Sequence, residues 1–204
     1  VEEGQPIATN ASVFGEALTR PNACPTGCQL TAEGNGTDRL LVRGELDVQR
    51  GRIEWHDVGV PVELEESIRI DRSGVTRLDL LDGAALLFRP GHGIIAGGDT
   101  TQRAEVGFLD NDPGLPVRIG AASEAGWAGI QVQAGSRIFG ADADLSGAST
   151  DAATISLEGG SVEVTNITLR DSAGAGIAVA GDGSVATVSE SRLAGNRIGV
   201  VTRD

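Results

Sequence analysis

The sequence has no lysine, methionine or tyrosine, and only six of its 204 residues are aromatic. All sixteen cationic side chains are therefore arginine, and 29 aspartates and glutamates bring the formal net charge to −13. Such a chain lacks the cationic surface that phosphate binding needs, which argues against a nucleic-acid partner and against a polyanion held by charge alone. There is no run of eighteen apolar residues, so the sequence predicts no membrane-spanning helix.

In contrast to the scarce aromatic residues, glycine is abundant in this sequence. Thirty glycines are spread along the chain without the triplet period of collagen, and apolar residues lie between them throughout. This distribution indicates many turns. A core built mainly from Val, Ile, Leu and Ala, with few aromatic rings, indicates a narrow interior.

The hydrophobic pattern divides the chain near residue 40. Residues 1–39 include a predicted helix at 11–18, with Ser12 as its N-cap, and we expect them to cap the rest. Residues 40–204 contain short period-two segments bounded by Gly, Asp, Ser or Pro. They show no convincing amphipathic helix, which excludes alternating βα folds. These segments are 40–48, 60–64, 68–70, 78–80, 85–88, 93–95, 117–119 and 129–132.

The last third of the chain contains an internal repeat. Val164 maps to Val188 and Leu169 to Leu193 with the same offset, while Ile177 maps to Ile198 with a slightly shorter one. Short β segments that recur at such a period are typical of a solenoid. A β-sandwich also has many short strands, but the repeat favours an all-β, right-handed, single-stranded parallel β-helix of about seven coils over residues 40–204.

Several segments of residues 55–132, and two in the tail, match a common pattern. They are 60–62, 68–70, 74–80, 83–88, 90–95 and 126–132, with 193–196 and 199–200 in the tail. In these segments the chain resembles secreted bacterial right-handed parallel β-helix proteins of the pectate-lyase-like superfamily, of the kind found in myxobacteria-like genomes. The resemblance covers most of the chain and implies a β-helix outside the cell or on its surface. Residues 96–114 depart from it and are predicted to form a long polar loop.

The two cysteines, Cys24 and Cys28, lie in a segment rich in Pro and Gly. In a secreted protein, such a pair is expected to form one small disulfide within the cap. Free thiols and a metal site remain alternatives, although zinc normally requires four ligands.

The fold family includes lyases that hold Ca²⁺ with carboxylates beside an arginine base. Asp142 and Asp144 would point to the same side of one strand, and Arg137 or Arg170 would have to lie nearby. A solvent-facing row of aspartates on an acidic protein is the alternative. These residues are the weak candidates for catalysis and for Ca²⁺.

Two further segments resemble functional motifs. Asp110 and Asp112 could belong to a Ca²⁺ loop, but Asp, Asn, Pro and Gly at 110–114 first predict a turn. The Gly-His-Gly around His92 is similar to a polygalacturonase motif, but the aspartate motifs that accompany it in those enzymes do not occur here. His92 is therefore expected to fill a turn.

Both tryptophans lie in segments that invite a functional interpretation. Trp127, between glycines, is expected either to pack over a neighbouring turn or to offer its indole to a sugar ring. Trp55 precedes His56 and Asp57, but adjacent strand residues face opposite ways and cannot act together on one substrate. The scattered threonines do not form the ladder that ice binding needs.

The sequence thus favours a non-catalytic module of structural or recognition type, secreted or on the cell surface, with a carbohydrate or protein ligand. A polysaccharide lyase or glycoside hydrolase of pectate-lyase-like type is the alternative, and Ca²⁺ its cofactor. The chain ends in an apolar strand at 198–203 without a capping helix. We expect either further coils or a second copy of the chain, as a homodimer, to cover this end.

Overall fold

The chain folds into a parallel β-solenoid with three faces, seen in a computed structural model. The structure describes residues 7–10, 39–44, 46–47, 51–70, 75–98, 103–109, 112 and 114–203. These residues form nineteen strands and no helix. The described part of the chain accordingly has no helix with the length and apolar character that crossing a membrane requires.

Strands that follow one another along the chain lie on different faces, and each strand pairs in parallel with strands of neighbouring turns. Face A contains β1 (Ile7–Asn10), β2 (Leu40–Arg43), β5 (Val62–Leu64), β8 (Ala85–Phe88), β11 (Val117–Ala121), the second halves of β13 (Arg137–Ser146) and β15 (Ser161–Arg170), and β18 (Arg192–Ala194). Face B contains β3 (Leu46–Asp47), β6 (Ile68–Ile70), β9 (Ile94–Ala96), β12 (Ile130–Gln133), β14 (Ala153–Glu158), β16 (Ala175–Ala180) and β19 (Ile198–Arg203). Face C contains β4 (Gly51–Trp55), β7 (Val75–Leu81), β10 (Arg103–Leu109), the first halves of β13 and β15, and β17 (Val185–Ser189).

The expected all-β parallel solenoid is confirmed. The described strands make six complete turns from β2 to β17, and β18 and β19 add two sides of another. The prediction of about seven coils was slightly too high, because insertions lengthen the middle turns. Leu86 pairs with Ile119, for example, and these two residues are farther apart in the chain than Leu145 and Leu169, which pair in a later turn.

The register of the last turns confirms most of the sequence repeat. Val164 lies opposite Val188, and Leu169 lies opposite Leu193. Ile177, however, lies opposite Val200, so its predicted pairing with Ile198 was wrong. Ile198 and Val200 are two residues apart in β19, and a register shift of two residues keeps the same side chains facing inward. The hydrophobic pattern therefore cannot distinguish these two registers.

The core is a set of apolar rows that run along the solenoid axis. On each face, residues paired between turns place similar side chains above one another, and nearly all of them are fully buried. This stacking explains why so few aromatic residues suffice: each turn offers room for branched aliphatic side chains and for an occasional ring. One row on each face is Leu40, Val62, Leu86, Ile119, Leu145 and Leu169 (A), Ile68, Ile94, Ile130, Ile155 and Ile177 (B), and Ile53, Leu78, Val106, Ile138 and Val162 (C).

The predicted loop at 96–114 was wrong in its middle part, which forms β10 (Arg103–Leu109). Val106 and Phe108 are buried in the core of face C, while Arg103 is exposed. Gly107 occupies an outward position, where a Cβ would overlap the carboxylate of Asp79. This glycine interrupts the polar–apolar alternation in the sequence, which hides the strand.

The proposed cap lies mostly outside the described residues. This applies to the predicted helix at 11–18 and to Cys24 and Cys28 with their disulfide. Both remain predictions, as does the domain boundary at residue 39. The described strand of this region, β1, pairs in parallel with β2 at the first end of face A.

Candidate functional site

The carboxylates proposed for a lyase site do not share one side of a strand. The chain turns from face C to face A at Asp142, which has a left-handed backbone with φ of 55°. The alternation that placed Asp142 and Asp144 together does not hold across this corner. Asp142 instead accepts a hydrogen bond from the side-chain amide of Asn166, which occupies the same corner one turn later with φ of 51°.

Asp144 is bound by an arginine of the next turn. Arg170 donates from Nε to Asp144 Oδ1 at 3.0 Å and from Nη2 to Oδ2 at 3.1 Å, and a further bond runs from Nη1 to Asp171 at 2.9 Å. The hydrogen bonds to Asp144 and Asp171 raise the pKa of the Arg170 guanidinium above its ordinary value. The neutral guanidine that a base must supply is therefore even rarer at Arg170 than at an isolated arginine, which disfavours a role for Arg170 as a base.

Arg137 lies on a different face from Asp144. Its Nη2 is 2.9 Å from Glu105 Oε1, and its guanidinium carbon lies 4.8 Å from the centre of the Phe139 ring. The structure thus brings Arg170 to Asp144 but gives Arg137, Asp142 and Asp144 separate partners. The constellation expected of a lyase is not assembled from these residues.

The other candidate metal loop is described only at Asp112. Its Oδ1 accepts a hydrogen bond from the backbone N–H of Gly114 at 3.0 Å, which is the geometry of an Asx turn. Asp110 lies outside the described residues, so a Ca²⁺ site that includes it remains a prediction. Within the described ranges, no three His, Cys, Asp or Glu side chains are grouped so that they could hold a metal ion.

The two histidines lie in separate environments. His92 Nδ1 is 3.5 Å from Ser67 Oγ, a proximity that sequence separation concealed. Ser67 Oγ also accepts a hydrogen bond from the backbone N–H of Gly93 at 3.3 Å, so the hydroxyl helps to fix this corner. His56 is exposed and lies 3.7 Å from Glu54, whereas Trp55 is fully buried.

Trp127 is fully buried, so its indole presents no face to a sugar ring. The ring stacks on Phe88 with centroids 5.5 Å apart and planes 13° from parallel. Its Nε1 donates a hydrogen bond to the carbonyl oxygen of Ser146 at 2.8 Å. Of the two roles expected for this residue, the structure agrees with packing.

Face C contains a fully buried carboxylate on the outer side of its sheet. Asp79 accepts hydrogen bonds from Arg77 Nε at 2.7 Å and from Arg52 on the preceding turn. The hydrogen bond to Asp79, followed by the attraction of its charge, raises the pKa of Arg52. The pair with Arg52 ties adjacent turns together, and both pairs leave the carboxylate occupied by the fold itself.

Described residues form a concave groove on face B, and we call it the face B groove. Its floor is a small apolar cluster outside the main core, formed by Ala153, Ala175 and Ala178 with Val201 against them. The floor crosses four turns, because Gln131, Ser156, Ala178 and Val201 are paired in one outward row. The groove encloses about 740 Å³.

Polar side chains border the groove. The turn at 149–152 forms one border and contributes Ser149, Thr150 and Asp151. Glu158 and two arginines, Arg197 and Arg203, complete the polar lining. The groove therefore combines an apolar floor with hydroxyl, carboxylate and guanidinium groups of both charge signs.

The sequence contains a signal for this groove that pattern reasoning alone does not reveal. β12, β14 and β16 each contain a small or polar residue between two apolar ones. The middle residues are Gln131, Ser156 and Ala178. Because middle residues face outward, small side chains at 156 and 178 leave a depression. Without the register, nothing shows that these positions stack.

Comparison with known proteins finds no match to this chain among protein-family models, curated proteins or solved structures.

Proposed function

We propose that this protein is a non-catalytic recognition module, secreted or on the cell surface, that binds an extended carbohydrate chain in the face B groove. The observation that supports the proposal is the combination of an apolar floor with polar borders in one groove parallel to the solenoid axis. Pyranose rings have the matching character, since their C–H faces are apolar and their hydroxyl edges form hydrogen bonds.

The dimensions of the groove suit a short oligosaccharide. Four strands cross its floor, and neighbouring strands lie about 4.8 Å apart, so the floor is about 14 Å long. The alanine methyl groups at 153, 175 and 178 allow a ring to approach the sheet closely. Ser156 and Gln131 offer hydrogen-bonding groups in the same row as Ala178.

The carboxylates considered for catalysis already have partners within the fold, which favours binding without turnover. Asp144 is paired with Arg170, and Asp142 is bound by Asn166. An acid or base in these positions would first have to break its contacts with the fold.

The test is titration calorimetry of the protein with neutral and uronate-containing oligosaccharides, with and without Ca²⁺. We expect measurable binding by at least one class, and we expect Ser156→Phe to weaken it at least tenfold by filling the groove. Thr168→Phe is the matched control, because Thr168 lies at an outward strand position on face A. It should bind as the unmodified protein does.

Two results would contradict the proposal. One is an absence of binding by every oligosaccharide, or binding that both variants reduce equally. The other is release of unsaturated uronate products during incubation, which would establish the polysaccharide lyase alternative in place of a binding module.

A further inference from the structure

The face B groove is lined by four exposed charged side chains. Asp151 and Arg197 lie just before β14 and β19, and Glu158 and Arg203 are the last residues of these two strands. Within the described part of the chain, none of the four side chains forms an ion pair or a hydrogen bond. These charges are therefore available to a ligand in the groove.

Opposite charges on the other two faces lie closer together and pair with each other. On face A, Arg89 Nε is 2.9 Å from Glu63 Oε1, one turn away. On face C, Arg137 Nη2 is 2.9 Å from Glu105 Oε1, again one turn away. Such pairs are occupied by the fold, which distinguishes them from the charges of the face B groove.

An uncharged strand keeps the acidic and basic residues of the groove apart. β16 lies between β14 and β19 and has the sequence AGIAVA. Glu158, Ala180 and Arg203 form one row, so the two charged residues are two strand spacings, or about 9.6 Å, apart. Because the screening length is about 10 Å at an ionic strength of 0.1 M, these charges compensate each other little.

The charges have the same order along both borders of the groove. Asp151 precedes Arg197 along one border, and Glu158 precedes Arg203 along the other. A ligand parallel to the solenoid axis therefore meets carboxylates over β14 and guanidinium groups over β19. A complementary ligand has the opposite order of charges, with a cation over β14 and an anion over β19.

We infer that the ligand of the face B groove is a zwitterionic glycan, in which sugar residues with free amino groups and uronic acid residues occur in one chain. An ammonium group lies over β14 and a carboxylate over β19, where each forms charge-assisted hydrogen bonds with a side chain of the groove. The inference rests on the proposed function, carbohydrate binding in this groove, and specifies the class of ligand.

A glycan with charges of one sign is less complementary to the groove. A polyuronate would place carboxylates over Asp151 and Glu158 as well, and the net charge of −13 would repel it further. A chain of amino sugars alone would place ammonium groups over Arg197 and Arg203. A neutral chain would leave all four charged side chains without partners.

Titration calorimetry of the full chain with four oligosaccharides of equal length tests the inference. The ligands are a neutral chain, a chain of uronates, a chain of amino sugars with free amines, and a chain in which uronates and such amino sugars alternate. We expect the alternating chain to bind about tenfold more tightly than the neutral one, and this advantage to shrink as sodium chloride is added.

Removal of charges from the groove locates the two ends of the ligand. Asp151→Asn combined with Glu158→Gln should weaken binding of both amine-containing chains without weakening binding of the uronate chain. Arg197→Gln combined with Arg203→Gln should weaken binding of both uronate-containing chains without weakening binding of the amine chain. Neither double variant should change the affinity for the neutral chain.

Two control variants remove the same charges outside the groove. Arg118→Gln with Arg192→Gln changes two exposed arginines on face A, and Glu163→Gln with Asp182→Asn changes two exposed carboxylates away from face B. Both should leave all four affinities nearly unchanged. Circular dichroism verifies that every variant is folded.

The outcomes separate this inference from the proposed function. If the neutral chain binds as tightly as the alternating chain, or if the controls weaken binding as much as the groove variants do, the inference is wrong and carbohydrate binding stands. Tighter binding of a chain with one charge sign would contradict the inference too. Absence of binding by all four chains would contradict the proposed function as well.

Discussion

At the scale of single residues, glycines decide how closely successive turns approach each other. Gly129 and Gly183 have the same left-handed φ of +80°. A Cβ at Gly129 would overlap the carbonyl oxygen of Ala153 on the next turn, whereas one at Gly183 would meet nothing within 4 Å. Substitution of these two glycines therefore measures separately the energetic cost of a left-handed side-chain-bearing residue and the cost of a clash with the next turn.

We expect Gly183→Ala to lower the free energy of unfolding by about 1 kcal/mol, the cost of a left-handed alanine. Gly129→Ala should lower it by at least about 3 kcal/mol more, because the obstructing atom belongs to the backbone and cannot rotate away. Urea unfolding followed by circular dichroism measures both values. Equal losses would show that the turns can separate at Gly129 without much cost.

At the scale of elements, arginine–glutamate pairs link the strands of face A. Glu63 on β5 accepts hydrogen bonds from Arg39 Nη1 and from Arg89 Nε, both at 2.9 Å. Burial, the largest single influence, would raise the pKa of Glu63. The hydrogen bonds from Arg89 and Arg39, with their charges, outweigh it and hold this pKa below its ordinary value of 4.5.

A lowered pKa in the fold means that the ionised form of Glu63 stabilises the protein. Its contribution is complete above pH 4.5 and disappears as the pH falls through the lower pKa of the folded state. We expect Glu63→Gln to be less stable than the unmodified protein at pH 7, and the difference to shrink below pH 4.5. Urea unfolding from pH 7 to pH 3 measures it.

The exposed Glu163 on face C supplies the control for this titration. Glu163→Gln removes the same formal charge without removing the hydrogen bonds of Glu63. A stability difference between Glu63→Gln and the unmodified protein that is independent of pH would contradict the assignment.

Strand lengths show where sequence reasoning at this scale reached its limit. Short segments between turn residues were predicted, yet β13 and β15 are each ten residues long. Each strand turns a corner at a single left-handed residue, Asp142 or Asn166, and Glu190 has the same conformation one turn later. Asp and Asn tolerate this conformation, so the chain changes face without a loop. Turn residues in the sequence indicate a change of direction but do not show whether pairing stops there.

At the scale of the whole molecule, regular repetition made the fold predictable and left the candidate site undetected. Inward-facing Val, Ile and Leu recur because every turn needs them, so the solenoid could be predicted without its exact register. The face B groove depends instead on which outward residues stack. Ser156 and Ala178 are one row in space but lie a full turn apart in the chain.

The repeat predicts that a complete turn can be removed. Deletion of residues 147–170 joins Ser146 to Asp171, which replaces Gly147, another left-handed residue, at the same corner. Because Ile177 then lies in the place of Ile155 opposite Ile130, every row continues. We expect a folded protein that is shorter by one strand spacing of about 4.8 Å and has a smaller dependence of stability on urea.

Small-angle scattering and urea unfolding would measure the length and the cooperativity of this variant. Deletion of residues 147–158 is the control, because it removes half a turn and misaligns all three faces; it should not fold. If the deletion of the complete turn also failed to fold, the turns would not be interchangeable, and the solenoid would depend on contacts unique to this turn.

The two buried indoles have a spectroscopic consequence. The chain has no tyrosine, so ultraviolet emission from the native protein comes almost entirely from Trp55 and Trp127. Both are fully buried, Trp55 in the first complete turn and Trp127 in the fourth. Each indole therefore reports the entry of water at a different position along the solenoid axis. Single-tryptophan versions of this chain would show whether unfolding begins at one end or spreads through all turns together.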